Sequence, residues 1–268
     1  MYISIVITAY NAEIYIIKTL ESIMAQTYKH YEVIIIDDGS TDDTIKCVGN
    51  FIQNYELANF KIISLNHIGR VNALNHGISV AQYDSIAIID ADDLWHPQKL
   101  DIQVHFIKKF GLVMLSTDCL NFEKELNNDL MNTIANDNMN DAILVELSLN
   151  QMLRYNSISH SSIIMNKRLA CYHPGDIHDW DLFLRTLSEG TKIHQLKLNL
   201  TYHRIHNNQS FEAKKHIRYT CISCALQLKY CIRLGKLMHM PFVFARFIYH
   251  LILNRKIRIK LHTYLTNC

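Results

Sequence analysis

Four short apolar, β-branched runs alternate with helical periodicity across the first 90 residues, and this alternation is the strongest constraint on the fold. Residues 3–8 (Ile-Ser-Ile-Val-Ile-Thr), 32–36 (Glu-Val-Ile-Ile-Ile), 60–65 and 85–89 have the composition of strands buried on both faces. Between them Ile16, Ile17, Leu20, Ile23 and Met24, then Ile45, Val48 and Ile52, then Val71, Leu74, Ile78 and Ala81 recur at helical spacing. Ser40 with Asp43 has the pattern of a capping box for the second helix. Short connections between alternating strands and helices predict an α/β fold with a mostly parallel sheet flanked by helices. Ligands bind beyond the carboxyl ends of strands in such sheets. Thr8, Tyr10, Asp37, Asp38, Asp90 and Asp92 all fall at those ends.

The fourth run stops at Asp90-Ala91-Asp92-Asp93-Leu94-Trp95-His96-Pro97. Three acids in four residues repel one another unless something positive sits among them. Carboxylate oxygens suit Mg2+ or Mn2+, and Mg2+ is usually held by one or two carboxylates plus substrate phosphates, which points to a nucleotide diphosphate. The same residues also suit an acidic turn before a helix opened at His96-Pro97. No G-x-G-x-x-G follows the first strand and no G-x-x-x-x-G-K-[ST] occurs, which disfavours a dehydrogenase and leaves bound metal as the means of gripping phosphate.

The ordered set "VITAYNAE", "IIIDDGSTDDT", "ALNHGI" and "DADDLWHP", with His178-Asp179-Trp180-Asp181 further on, resembles the family 2 glycosyltransferases of GT-A fold over about the first 210 residues. That resemblance implies an inverting, metal-dependent enzyme that moves a sugar from a nucleotide-diphosphate sugar, a UDP-sugar being favoured, to the hydroxyl of a glycan or lipid-linked acceptor in surface polysaccharide or glycolipid assembly. It places Thr8, Tyr10 and Glu13 around the base and ribose, Tyr10 stacking on the base. Asp38 would accept from a base N–H, Arg70 would reach the diphosphate, and Asp90 would contact the nucleotide sugar. Asp92 and Asp90 would hold Mn2+ or Mg2+, with Asp93 and His206 as further candidate ligands. Asp93 could instead start the next helix, and Trp95 reads as packing. Asp179 occupies the general base position; His178 stands where the family commonly has Glu, and Asp181 reads as a helix brace. Arg204-Ile205-His206 resembles the family's R-x-H motif, with Arg204 bracing the loop.

Residues 1–212 are therefore expected to form the catalytic domain and 213–268 a basic, apolar helical extension. Eleven of the 27 Lys and Arg residues lie after Glu212, where there is no Asp or Glu; the other 16 face all 25 acids, a charge of −9. An acidic body with a basic tail suggests an anionic surface as partner. Ile217, Cys221, Cys224, Leu228 and Cys231 or Ile232 recur at helical spacing, Pro241 is placed to open another helix, and Arg255, Lys256, Arg258 and Lys260 follow. The run 240–253 is too short to span a bilayer, so peripheral contact through 213–268 with the inner face of the cell membrane fits, contact with the catalytic domain or a second subunit being the alternative. Nucleic acid is not expected, since no recognition motif accompanies the tail. Seven scattered cysteines and no leader before the first strand suggest a reducing cytoplasm, and Cys221-x-x-Cys224 reads as two thiols on a helix. Residues 119–141, rich in Asn and Asp, read as an exposed insertion, and 159–165 as another strand. The rival reading is a non-catalytic nucleotide-sugar-binding subunit of the same fold, suggested by His178.

Overall fold

Val and Ile are stiff at χ1 and pack best on a pleated surface, and strands form where they cluster in the computed structural model, which describes residues 1–123, 142–175, 177–206 and 216–252. In chain order the elements are β1 (Ile3–Ala9), α1 (Ile16–Met24), β2 (Tyr31–Asp37), α2 (Thr44–Asn54), β3 (Phe60–Ser64), α3 (Arg70–Val80), β4 (Ser85–Asp90), β5 (Leu94–Trp95) and α4 (Lys99–Phe110). There follow β6 (Met114–Phe122), β7 (Leu144–Glu146), α5 (Leu149–Arg154), β8 (Ile164–Asn166), α6 (His178–Ser188), β9 (His194–Arg204), α7 (His216–Arg233) and α8 (Met240–Ile252). The chain divides into two compact units, 1–147 with 157–205, and 148–156 with 206–268.

In the first unit the described strands form one sheet in the order β3-β2-β1-β4-β8-β6-β9-β5, with β7 paired to β9. β3, β2, β1 and β4 run parallel. Beyond them β8 is antiparallel to both β4 and β6, while β6 and β9 are parallel, so that half is mixed. The register sets Thr8 between Ile36 and Asp90, and Ala9 beside Asp37, so three strands finish level and deliver their polar residues to one rim.

Alternation along β1 sends Ile3, Ile5 and Ile7 to one face, where they pack with Ile16, Leu20 and Ile23 of α1, Val48 and Phe51 of α2, and Leu100 and Val104 of α4. Burying each such side chain contributes about 1.5–3 kcal/mol relative to leaving it in water. The other face takes α3. Gly77 lets that helix close on the sheet: a Cβ there would lie 2.6 Å from Val6 Cγ1 and 2.9 Å from Ile36 Cγ1.

Several local expectations give way to tertiary partners. The capping box does not form, because Ser40 Oγ accepts from the Asn11 N–H (2.9 Å) and α2 begins later, with Asp43 at its N-cap and Asp42 Oδ1 accepting from the Thr44 N–H (3.0 Å). Its buried stripe is accordingly Thr44, Val48 and Phe51, and Ile45 is exposed. The helix expected at Pro97 starts at Lys99, since Leu94 and Trp95 first pair with Tyr202 and Thr201. Residues 159–165 are not one strand: Ser162 turns its N–H and hydroxyl back onto the Ser159 carbonyl, making a 3-10 turn at His160–Ser162 before β8. Cys119 to Phe122 complete β6, and 124–141 lie outside the described residues.

The second unit holds α5, α7 and α8. Gln227 is buried and its Nε2 donates to the carbonyls of Leu153 (2.7 Å) and Arg154 (3.0 Å), and the Arg154 guanidinium sits 4.8 Å over the Phe242 ring. The buried side of α7 carries Thr220, Ser223, Cys224, Gln227, Tyr230 and Cys231, so Cys224 and Cys231 of the expected stripe point inward while Cys221 and Ile232 are exposed. Leu237, Met238, Phe242, Phe244 and Ile248 are exposed as well. No described helix is long and apolar enough to cross a membrane. Residue 212, the expected domain boundary, and the basic cluster Arg255, Lys256, Arg258 and Lys260 lie outside the described residues.

Gly77→Ala is expected to lower the stability of the chain by about 1–3 kcal/mol through overpacking. Gly49→Ala, where an added Cβ meets nothing within 4 Å, should raise it by up to about 1 kcal/mol through helix propensity. Urea denaturation of the two variants checks both signs.

Candidate active site

The level ends of β1, β2 and β4 bring together residues 30 to 80 positions apart. At the end of β2 the two acids divide the work. Asp37 Oδ2 accepts from the N–H groups of Gly39 (3.2 Å) and Ser40 (3.0 Å) and folds its own turn. Asp38 Oδ1 accepts from Ile68 N (2.7 Å) and Oδ2 from Gly69 N (3.0 Å), tying β2 to the loop ahead of α3. Gly39 has φ +76°, and a Cβ there would come within 2.8 Å of His67 N, so the β2 turn and that loop can approach only at glycine.

Asn11 and Glu13 serve as ties of the same kind. Asn11 Oδ1 accepts from Thr41 N (2.8 Å) and Glu13 Oε2 from Asp43 N (2.8 Å), linking the loop after β1 to the start of α2. Tyr10 is half exposed and its ring lies 4.4 Å from the His67 ring, centroid to centroid. An aromatic face on that rim suits the π-face of a base. Thr8 is half-buried at the strand end.

The three acids after β4 are held by three different means. Asp90 Oδ1 is ion-paired with Arg70 Nη2 from the first turn of α3, and His160 Nδ1 lies 3.6 Å from the same oxygen. Burial works against ionisation of Asp90, but Arg70 and His160 outweigh it and hold its carboxyl well below the usual range; Asp90 in turn pushes Arg70 further up. The Asp90 N–H donates to Ser161 Oγ (3.0 Å). Asp93 is buried, and its carboxylate accepts from the Ser161 hydroxyl, His203 Nδ1 (3.0 Å) and Arg204 N (3.0 Å). The hydrogen bond to Asp93 raises the His203 pKa to about 9, against the opposing effect of burial. Arg204 Nε donates to the Asp92 carbonyl (3.0 Å) and its guanidinium stacks on Tyr15 and Phe122, so it braces the loop as expected. Trp95 is packed and donates to the Ser161 carbonyl (2.7 Å).

Ligand atoms of Asp90, Asp92 and Asp93 lie within 4.8 Å of one another. An all-oxygen donor set at that spacing fits a hard divalent cation with phosphate oxygens completing its shell. Both side-chain contacts of Asp90 fall on Oδ1, which leaves Oδ2 available to a cation, whereas the Asp93 oxygens are already accepting three donors. Asp92 and Asp90 are therefore the better-suited pair. His206 belongs to the second unit.

Asp179 is half-buried in the first turn of α6, where the helix dipole favours a carboxylate. Its charge adds to that of Asp90 in holding Arg70 protonated, and to burial in raising the Tyr172 phenol. His178, beside it, is buried in edge-to-face contact with His160 and Tyr172, both at 5.7 Å. Burial, with the Arg70 charge adding to it, lowers its pKa to about 4, so it stands neutral at pH 7. Asp181 is buried, with Oδ2 3.4 Å from His173 Nδ1, in keeping with a brace.

The site thus gathers Arg70, Asp90, Asp92, Asp93 and Asp179 as the sequence motifs suggest, and sets Tyr10 on the same sheet rim. Sequence reasoning missed His67, His160, Ser161, Tyr172 and His203. None has a local signature, since each acts on a partner 12 to 110 residues away.

Residues 4–162 match the family model described as Glycosyl transferase family 2. A UDP-Glc:alpha-D-GlcNAc-diphosphoundecaprenol beta-1,3-glucosyltransferase, WfaP of Escherichia coli, is 31% identical over 208 residues, 76% of this chain and 77% of that one. Among solved structures, S. aureus TarS in complex with UDP-GlcNAc superposes with a TM-score of 0.66 over 91% of this chain and 73% of that chain, at 16% identity. The mannosyltransferase PcManGT from Pyrobaculum calidifontis, in complex with GDP-Man and Mn2+, gives 0.60 over 98% and 79%, also at 16%. Both structures share the fold.

The His203–Asp93 pair has a pH signature. A histidine whose pKa rises from 6.5 to about 9 on folding stabilises the chain fully below about pH 6.5, and that stability is lost as pH rises through about 9. The melting temperature of His203→Gln should therefore fall below that of the wild type at pH 6 and converge with it above pH 9, as thermal scans across that range would show.

Proposed function

The chain belongs to glycosyl transferase family 2, and on that premise we propose an inverting, metal-dependent enzyme that transfers a sugar from a UDP-sugar to a lipid-linked or glycan hydroxyl. The observation that carries this reading is the start of α6, where Asp179 follows His178, whose ring packs 5.7 Å from that of His160 beside the Asp90 carboxylate. A donor-side cation site and a separate carboxylate are what a single displacement requires.

In this reading Tyr10 offers its ring to the base and Thr8 lines the strand end beneath it. Asp38 contributes by fixing the loop before α3, and Glu13 by fixing the loop after β1, as their hydrogen bonds indicate. Arg70 is held charged and close to where a diphosphate would lie, so it can attract and orient the donor. Asp92 and Asp90 would hold Mn2+ or Mg2+, which supplies Lewis-acid neutralisation of the departing diphosphate when bound. Asp93 is the secondary candidate. Asp179 takes the proton from the acceptor hydroxyl as that oxygen attacks the anomeric carbon, and the nucleotide diphosphate leaves from the opposite face. His178 does not weaken the assignment, because a neutral imidazole packed against His160 and Tyr172 leaves Asp179 as the carboxylate of that turn.

The acceptor reading draws on the lipid-diphosphate acceptor in the name of WfaP and on the second unit. Exposed Leu237, Met238, Phe242, Phe244 and Ile248 beside a basic, acid-free sequence suit the interface of an anionic leaflet. We place the enzyme at the inner face of the cell membrane.

Asp179→Asn should lower kcat by roughly a hundredfold or more while leaving the donor Kd nearly unchanged, the signature of a lost proton acceptor. Steady-state kinetics beside donor titration measure the two separately, and a wild-type rate in the variant would move the base elsewhere. For the membrane, full-length protein should float with anionic vesicles, release as salt rises, and lose binding on truncation after Glu212. Protein that stays at the bottom of the gradient with anionic and neutral vesicles alike refutes the attachment.

A further inference from the structure

The turn at His160–Ser162 lies against the acidic motif and has no place in the reaction as derived above. Ser161 accounts for two of its contacts, with the Asp90 N–H and the Asp93 carboxylate. His160 is buried, and its two ring nitrogens face different partners. Nε2 lies 2.8 Å from the Tyr172 hydroxyl, whereas Nδ1 is a buried polar atom without a hydrogen-bond partner, 3.6 Å from Asp90 Oδ1. An orphaned ring nitrogen costs free energy unless something later satisfies it. A shift of roughly half an ångström would turn the separation from Asp90 into a hydrogen bond.

Tyr172 is itself fixed. Its N–H donates to Asn75 Oδ1 (3.0 Å) and its carbonyl accepts from Asn75 Nδ2 (2.8 Å), a two-point clamp from the middle of α3. Burial drives the Tyr172 pKa well above its ordinary value, so its hydroxyl keeps its proton. A phenol that donates to Nε2 leaves the imidazole proton on Nδ1, the nitrogen that faces Asp90. Helix α3 thereby reaches Asp90 twice, directly through Arg70 and indirectly through Asn75, Tyr172 and His160.

We propose that Tyr172 and His160 are positioning residues for the donor site, with the Tyr172 hydroxyl setting the His160 tautomer so that Nδ1–H fixes the orientation of the Asp90 carboxylate when donor binds. The proposal rests on reading the acidic motif as the donor site. Arg70 holds Oδ1 from one side and His160 from another, which directs Oδ2 at the cation and the nucleotide sugar. An ordinary packing role for the same rings makes no such demand on which nitrogen is present.

Side-chain amides distinguish the two. Asn places its Nδ2 near the position of His Nδ1, Gln places its amide near Nε2, and Leu keeps bulk without either. UDP with Mn2+ is titrated calorimetrically into the wild type, His160→Asn, His160→Gln, His160→Leu and Tyr172→Phe, with melting temperatures recorded alongside. Positioning predicts that His160→Asn stays within about threefold of the wild-type Kd, that Gln and Leu weaken binding about tenfold, and that Tyr172→Phe, which keeps the ring, weakens it about three- to tenfold. It further predicts that Tyr172→Phe has no added effect in the His160→Leu background. Affinities that follow side-chain volume, with Asn the weakest, or Tyr172→Phe at the wild-type Kd, overturn the proposal while leaving the donor site standing. A wild type that binds UDP equally with Mn2+ and with chelator overturns the donor-site reading itself, and this proposal with it.

Discussion

Three carboxylates within 4.8 Å of one another repel by about 3.5 kcal/mol per pair at an effective dielectric of about 20, and that repulsion is the constraint to which the surrounding structure answers. Asp90 is countered by a guanidinium from α3, and the buried Asp93 by three donors that include a protonated imidazole. Asp92 sits half-buried with its carbonyl gripped by Arg204. The cluster is thus balanced at its two ends by fixed protein charges, and the charge that remains matches a divalent cation carried in with a diphosphate. In the proposed reading a site balanced in this way takes an anionic donor together with a metal ion, so that the metal would serve recognition as well as chemistry.

The elements that supply these counter-groups are the same ones that build the core. α3 packs so closely that Gly77 has room for no side chain, and this contact sets where Arg70 and Asn75 stand over the sheet rim. The two-residue strand β5 pairs with β9 and so brings His203 and Arg204 under Asp93. Trp95, between them, fills the core and holds the Ser161 carbonyl. Geometry at the acidic motif is therefore coupled to packing on both faces of the sheet.

Much of this was legible in the residues. The four strands and three helices of the first 90 positions follow from periodicity, because both faces of those strands are apolar and the connections are short. The acidic motif and Asp179 could be read because each sits where an apolar pattern breaks. The partner-dependent features could not. The Asp38 oxygens hold Ile68 N and Gly69 N, 30 residues on, and Glu13 Oε2 holds Asp43 N, ties that no local pattern announces. Residues 159–165 look strand-like by composition, but Ser162 bends back on Ser159 and turns the segment into the support of Asp90 and Asp93. Local propensity records what a residue prefers alone, and these residues are placed by groups distant in sequence.

The proposed reaction is a single displacement, in which Asp179 activates the acceptor on the face opposite the departing diphosphate. The anomeric configuration of the product tests it most directly, by the proton coupling constant across C1 and C2 after incubation with an α-linked UDP-glucose or UDP-N-acetylglucosamine and an acceptor. A single displacement gives a β-linked product with a coupling constant of the large, diaxial type. An α-linked product would contradict it.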